Sequence, residues 1–348
     1  MATITTLIPA YKKDHLGEVF LGLARQTFRD FRVLLSDDSA DDGITALLRT
    51  GAFDSLTRGL DVRVMRGPKN ARMNHQTLLD AWAASTPFVH FHLDDDIIYP
   101  DFYQAHLDAH ATGRFSATVS RRWLSQDDGQ PARSVPLPTF VAASPLQVVP
   151  VAAPELFQST VPRCYNWLGE FSNMLLSAEG LTHWPRPSAT ELNYFGWMDI
   201  GFLLSASQHL PVACLRDHLG VFRQHAEQSS QRVPGPVSRV AFIAWAAYAL
   251  QAWREHRIDH AQAASAVILT VGDCLRRFGE GDPMMERFYT IVEQHGRSLD
   301  AMYAEFLPFW HQLLNTHPAT APVPTGGPGG ELAPSALPVP QRQSAFPA

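Results

Sequence analysis

The chain has 348 residues, is 45% hydrophobic and 18% charged, and carries a formal net charge of −6. That is enough apolar material for one large core, or for a domain with a helical appendage. The acidic balance, with no basic run longer than Arg121-Arg122 or Arg276-Arg277, argues against a protein that grips nucleic acid through its phosphates.

Residues 3–9 (TITTLIP) have β-branched character, which suits a central strand entering a core. Residues 15–26 place Leu16, Val19, Phe20 and Leu23 at helical spacing. FRVLLSDDS then reads as a second buried strand ending in an acidic turn, 41–50 as a helix, 61–65 as a third strand, and Asn74 to Ser85 as a helix with Leu78, Leu79 and Trp82 on one face. PFVHFHLDDD is a fourth strand running into carboxylates. This alternation predicts an α/β fold with a mostly parallel sheet and flanking helices.

Residues 125–165 read as loops with short strands, and 166–222 as mixed structure. A helical region follows over 237–316, with breaks near Asp259, Gly279–Pro283 and Gly296. From His317 onward Pro, Gly, Ala and Ser dominate, a composition that cannot bury enough apolar surface to order itself. The expected organisation is a domain over 1–232, in halves of about 1–110 and 111–232, then the helical region, then a disordered tail over 317–348.

The N-terminus lacks the basic and apolar regions of a secretory signal. No stretch approaches the roughly 20 apolar residues of a membrane-spanning helix. Val240 to Trp253 comes nearest but is too short and contains Gln251. Cys164, Cys214 and Cys274 are scattered, without a CxxC pair, and read as reduced thiols rather than a disulfide framework or zinc site. The expectation is a cytoplasmic protein, any membrane contact being made from the inner surface.

Polar clusters fall where strands end, which is where open α/β sheets bind ligands. Pro9-Ala10-Tyr11 follows the first strand; Tyr11 can lie against a base while Pro9 stiffens the turn. Asp37-Asp38-Ser39 follows the second, where an aspartate can accept from a base or ribose. Asp94-Asp95-Asp96 follows the fourth. Three adjacent carboxylates repel one another, and a hard divalent cation that also bridges diphosphate oxygens offsets that repulsion. Farther along, Asp199 sits between aromatic and aliphatic neighbours in NYFGWMDIGFLL, where desolvation raises its proton affinity and suits a general base. Arg223-Gln224-His225 offers cationic and metal-ligating groups, followed by Gln228-Ser229-Ser230.

Together, and in this order, these pieces resemble the glycosyltransferase family 2 proteins with the GT-A fold, from about Thr3 to about Ser230. TTLIPAYKKD resembles the opening strand and uracil-side loop, and LARQTFRDFRVLLSDDSADD the helix, turn and aspartate-bearing strand. GPKNARMNHQTLLDAW is similar to the segment with an arginine near the base, HFHLDDDIIYPDF to the metal-binding segment, and FGWMDIGFLL to the segment holding the base. The resemblance implies a Rossmann-like GT-A sheet and an inverting transfer from a nucleotide-sugar, with UDP as nucleotide. The acceptor is a glycan, a lipid-linked molecule or a small molecule. Pro9, Ala10, Tyr11, Asp38 and Arg72 would line the base pocket. Asp94 and Arg223 would serve the donor nucleotide and its diphosphate. Asp95 and Asp96, with His225, would hold Mn2+ or Mg2+, and Asp199 would be the base. Two positions depart from the family pattern: Leu93 stands where an earlier acidic residue is usual, and Met198 where a glutamate commonly precedes the aspartate. The helices after 237 have no counterpart in this resemblance, and acceptor binding, dimerisation and membrane contact are the roles open to them. A nucleotidyltransferase would carry a glycine-rich basic loop after the first strand, which PAYKKD lacks. A sugar-nucleotide-binding protein without turnover is the other alternative.

Overall fold

The computed structural model describes residues 2–188, 190–224 and 236–315, the side chains of Ala71, Arg72 and Pro236 excepted. The expectations for His225, for Gln228 to Ser230 and for the tail from His317 lie outside the described residues, as does the side chain of Arg72.

Strand and helix alternate through the first part of the chain. The strands β1 (Ile4–Ala10), β2 (Phe31–Asp37), β3 (Asp61–Arg66) and β4 (Phe88–Phe91) are joined through α1 (Leu16–Ala24), α2 (Gly43–Arg49), α3 (Asp54–Thr57) and α4 (Ala71–Trp82). The short β5 (Ile97–Ile98) and α5 (Phe102–Ala111) follow. Next come β6 (Ala117–Ser125), β7 (Pro131–Ser134), α6 (Thr139–Ala142), β8 (Val148–Val151), α7 (Ala153–Thr160), β9 (Met174–Ser177), α8 (Ala178–Leu181), α9 (Met198–Ser207) and β10 (Val212–Arg223). The helices α10 (Pro236–Arg254), α11 (His260–Phe278), α12 (Pro283–His295) and α13 (Leu299–Asn315) close the described chain.

All the strands join one sheet in the order β3-β2-β1-β4-β9-β6-β10-β5, with β7 on β6 and β8 on β10. The first four strands pair in parallel, each crossover being made by helix as parallel pairing demands. Beyond β4 the sheet turns mixed. β9 runs antiparallel to both β4 and β6, β10 runs parallel to β6, and β5 lies antiparallel on β10. β1 is buried along its whole length, Thr5 and Thr6 included, so its sequence shows no exposed polar alternation. Pro9 is tolerated because the β1–β4 ladder ends at the Leu7–Phe91 rung, before the missing amide would be needed.

Each face of the sheet carries its own core. On one, α1 and α5 pack through Val19, Phe20, Phe102 and Tyr103 onto Ile4, Ile8 and Val33. On the other, α4, α7 and α9 contribute Trp82, Phe157 and Phe202 to a larger cluster that continues into the C-terminal helices through Trp245, Tyr248, Phe306 and Trp310. The helical region therefore shares a core with the sheet. Its breaks fall where the sequence signals them. Asp259 and Gln262 form a capping box at the start of α11, Gly279 ends that helix with φ 69°, and Asp282 caps α12 directly before Pro283. Among the described residues no helix is long and apolar enough to cross a membrane. The three cysteines are free thiols, Cys214 and Cys274 buried and Cys164 partly so. Burial pushes Cys164 up to about 11 and the other two to about 12, which disfavours the thiolate at neutral pH.

Candidate active site

The ends of β1, β2 and β4 meet at one edge of the parallel half, tied by backbone atoms. The Asp38 amide donates to the Ala10 carbonyl at 2.7 Å, continuing the β1–β2 ladder one step past its last strand rung. Asp94 Oδ2 accepts from the amides of Tyr11 and Lys12, both at 2.6 Å, and so stitches the acidic turn to the loop after β1. Pro9 and Ala10 are buried beneath this junction, while Tyr11 is 50% exposed and presents an unburied ring beside it.

The two aspartates after β2 divide their tasks. Asp37 is wholly buried, and both its oxygens are used: Oδ1 accepts from the amide and hydroxyl of Ser39, Oδ2 from those of Thr45. Burial alone would raise its pKa, but these bonds hold it below the usual carboxylate value. Asp37 is thus a turn fastener. Asp38 is buried to 3%, and its Oδ1 accepts from Asn70 N–H at 3.2 Å. Desolvation outweighs that bond and the nearby Lys69, leaving its pKa raised. Asn70 also caps α4 by accepting from the Met73 amide, so the helix starts at Ala71, three residues before the position its apolar face suggests.

The three acidic residues after β4 differ sharply in environment. Asp94 is committed to the Tyr11 and Lys12 amides, and burial, with the neighbouring Asp95 charge, pushes its pKa up to about 6. Asp96 is 1% exposed; its Oδ1 accepts from Arg223 N–H at 3.1 Å, and its Oδ2 is buried without a hydrogen-bond partner. Desolvation first and Asp95 second hold Asp96 well above the usual range. The turn is fixed from below by β5, whose Ile97 and Ile98 pair with Val221 and Gly220 of β10.

Arg223, at the end of β10, is 1% exposed. Its Nε donates to the Asp95 carbonyl at 2.8 Å, Nη1 donates to the Asp127 carbonyl and Nη2 pairs with Glu18 of α1. The guanidinium therefore lies beneath the acidic turn, holding the Asp95 backbone, instead of projecting from the surface.

No group of three His, Cys, Asp or Glu side chains is gathered as a metal site among the described residues. The residues present nevertheless fit a hard divalent cation. Such ions often need only one or two carboxylates, taking their remaining ligands from water and substrate phosphates. The unpartnered Asp96 oxygen, with Asp95 adjacent in the same turn, supplies that donor chemistry.

Asp199 lies in the first turn of α9 and is 8% exposed. Its Oδ1 accepts from the Ile200 amide at 2.6 Å. Burial, then the nearby Glu170 charge, pushes its pKa up to about 7, against the smaller opposing pull of Arg122. Glu170 and Arg122 are the functional candidates that sequence reasoning missed. Arg122 on β6 grips Glu170 with two bonds, Nε to Oε2 at 2.7 Å and Nη2 to Oε1 at 3.2 Å, while its Nη1 donates to the Trp167 carbonyl. Glu170 raises the pKa of Asp96 as well as that of Asp199, so it stands within electrostatic reach of both carboxylates. Asp96, Arg122 and Glu170 also line one small crevice with Ser172. The only sequence signal for this pair was an arginine and a glutamate in otherwise apolar segments.

The loop that presents Asp199 is clamped by the C-terminal helices. Tyr248 of α10 accepts from the Trp197 amide at 2.8 Å and donates to the Trp197 carbonyl at 3.0 Å. Tyr303 of α13 accepts from the Leu192 amide at 3.1 Å. Gly196 has φ 141°, and a Cβ there would lie 2.4 Å from Ala244 Cβ. A Cβ on Gly201 would lie 2.0 Å from the Tyr194 carbonyl oxygen. Only glycine admits so close an approach at these two positions.

Residues 5–151 match the family model described as Glycosyl transferase family 2. No curated protein matches the chain. Among solved structures, residues 1–349 of S. aureus TarS in complex with UDP align over 91% of both chains, with 13% identity and a TM-score of 0.53. The same TarS fragment in complex with UDP-GlcNAc aligns over 91% of both chains, with 13% identity and a TM-score of 0.52. These alignments extend the shared fold through the C-terminal helices, beyond the span of the family model. Residues 5–151 therefore resemble the family 2 glycosyltransferases, and the fold is one that the chain shares with TarS.

Proposed function

We propose that the chain transfers a sugar from a nucleoside diphosphate to an acceptor hydroxyl by single displacement with inversion, and that Asp199 is the general base. The observation that carries this reading is the meeting of the β1, β2 and β4 ends at Tyr11, Asp38 and the acidic turn, with Glu170 linking that turn electrostatically to Asp199. The UDP and UDP-GlcNAc held by the TarS structures support a uridine donor.

In this reading Tyr11 lies against the base, Pro9 and Ala10 shape the floor beneath it, and Asp38 accepts from the base, with Arg72 beside it. Asp95 and Asp96 hold the divalent cation, with His225 as a further candidate ligand. Bound there, the cation would offset the charge that builds on the leaving nucleoside diphosphate. Asp94 and Arg223 serve the donor indirectly, Asp94 by fixing the turn to the Tyr11 loop and Arg223 by holding the Asp95 backbone. The acceptor hydroxyl gives its proton to Asp199 as its oxygen attacks the anomeric carbon and the bond to the diphosphate oxygen breaks. With Oδ1 held by the Ile200 amide, Oδ2 is the oxygen that takes the proton. A carboxylate near 7 is well matched to proton transfer at neutral pH.

The test is a titration of the full chain with a panel of nucleotide-sugars, with and without Mn2+ or Mg2+. One UDP-sugar should bind in a cation-dependent way and release UDP slowly. Binding that survives chelation would remove the cation from the reading. Silence across the panel would remove the transferase activity.

A further inference from the structure

We infer that the chain has a second, anion-binding site, beside β6 and β10 and apart from the Arg122–Glu170 pair. It is an open cavity of about 420 Å3 lined by Arg121, Leu137, Ala142, Gln147, Arg216 and Asp217. The ligand class is a phosphate or carboxylate group, either free or carried on a sugar.

The argument begins with charge. Among the described residues, neither Arg121 nor Arg216 has a carboxylate within ion-pair distance, unlike Arg122, Arg223 and Arg239. Arg121 Nη2 donates to Ser134 Oγ at 2.8 Å, while its Nε is buried with no hydrogen-bond partner. Arg216 Nη1 donates to the Ser144 carbonyl at 2.7 Å. Both guanidinium groups are thus positioned by neutral oxygens and left without a counter-ion. A buried charged donor is ordinarily paired, and a guanidinium edge suits a bidentate oxyanion.

The strand geometry brings the two arginines together. β6 and β10 pair at Arg121 and His218, and the register shifts between Cys214 and His218. That irregularity takes Arg216 and Asp217 out of the β6 ladder, beside the cavity. Asp217, the one carboxylate lining the cavity, is exposed and held by Gln147 Nε2. The neighbouring histidine responds to the surplus positive charge. His218 stacks on Trp123 at 4.0 Å and shares Ser134 Oγ with Arg121, and burial, followed by the Arg121 charge, lowers its proton affinity.

The experiment titrates the full chain with inorganic phosphate and, separately, with glucose 6-phosphate, by calorimetry. It compares the wild type with Arg121→Gln, Arg216→Gln and the donor-side variant Asp38→Asn. Saturable binding should weaken about tenfold in each arginine variant, as expected for loss of one charge-assisted contact, and stay unchanged in Asp38→Asn. Equal affinity for the two probes identifies a free anion as ligand, and tighter binding of glucose 6-phosphate identifies an anionic sugar. Arg216 is partly exposed, so its variant keeps the test valid even if Arg121→Gln fails to fold. No saturable binding, or binding indifferent to both arginine substitutions, overturns the proposal. Because the readout is binding rather than transfer, its failure leaves the proposed reaction untouched.

Discussion

The proposed donor side and the proposed acceptor side are built in opposite ways. Tyr11, Asp38 and Asp94 stand at the ends of neighbouring strands and are locked by backbone bonds within the first hundred residues. Asp199 stands at the start of a helix whose approach loop is held by Tyr248 and Tyr303, more than 50 and 100 residues farther on. The parallel half therefore carries its own scaffold. The proposed base depends on helices outside the span of the family model, and those helices share the core of the sheet.

The largest expected effect tests whether the two sides act separately. Asp199→Asn should lower kcat about 10²- to 10⁴-fold, the usual contribution of a general base, with donor affinity unchanged. Isothermal titration of donor alongside steady-state transfer would show this split. Intact transfer would mean that another group takes the proton, with Glu170 the first to examine.

Two buried groups, one on each side, should respond to pH with opposite sign. Asp199 has a folded pKa of about 7, above its unfolded value. It therefore destabilises the fold progressively as pH rises from about 4 to about 7, by up to roughly 4 kcal/mol. His92, under the donor side, is wholly buried with both ring nitrogens unpartnered, and desolvation lowers it to about 3. The unfolded chain binds the proton first, so this histidine removes stability as pH falls below about 6.5, by a few kcal/mol at pH 3. Chemical denaturation across pH should show Asp199→Asn gaining stability relative to wild type above pH 7 and gaining almost none at pH 4. An equal gain at both pH values would refute the raised pKa.

A smaller effect probes the clamp directly. Tyr248→Phe leaves the Trp197 amide and carbonyl without their shared hydroxyl, at a cost of about 1–3 kcal/mol. The loss should appear as a lower midpoint in urea and as a reduced kcat with donor KM retained. A donor KM that rises with it would show that the two sides are coupled through the core.

The same contrast explains what was legible in the sequence. β1 and most of β4 are buried on both faces and β2 alternates buried with half-buried positions before its buried end, so they stand out as strands in the sequence, and their ends are marked by residues that cannot stay in a core. Asp38 and the acidic turn follow from that logic. The separate tasks of Asp37, Asp94 and Asp96 do not, because they depend on which amides each carboxylate meets. The segment 125–165, read as loops with short strands, also contains α7, eight residues long with a proline in its first turn and too short to show a period. Glu170 gains its meaning from Arg122, 48 positions away, and neither residue announces the pairing. β10 was obscured by register irregularities that break its alternation.

The smallest expected effect separates fastening from ligation inside the acidic turn. Asp94→Asn keeps an oxygen that can accept from the Tyr11 and Lys12 amides and removes the repulsion with Asp95 that helps push Asp94 to about 6. Its stability at pH 7.5 should stay within about 1 kcal/mol of wild type, since the lost charge-assisted bonding and the relieved desolvation oppose each other. Its cation-dependent donor binding should change less than about tenfold. Asp95→Asn, by contrast, should abolish the cation dependence while leaving the thermal midpoint near that of wild type, because Asp95 meets Arg223 through its backbone carbonyl, which the substitution retains. If Asp94→Asn instead loses cation-dependent binding outright while Asp95→Asn keeps it, the ligand within the turn is Asp94, and the bond to Tyr11 reports the free turn alone.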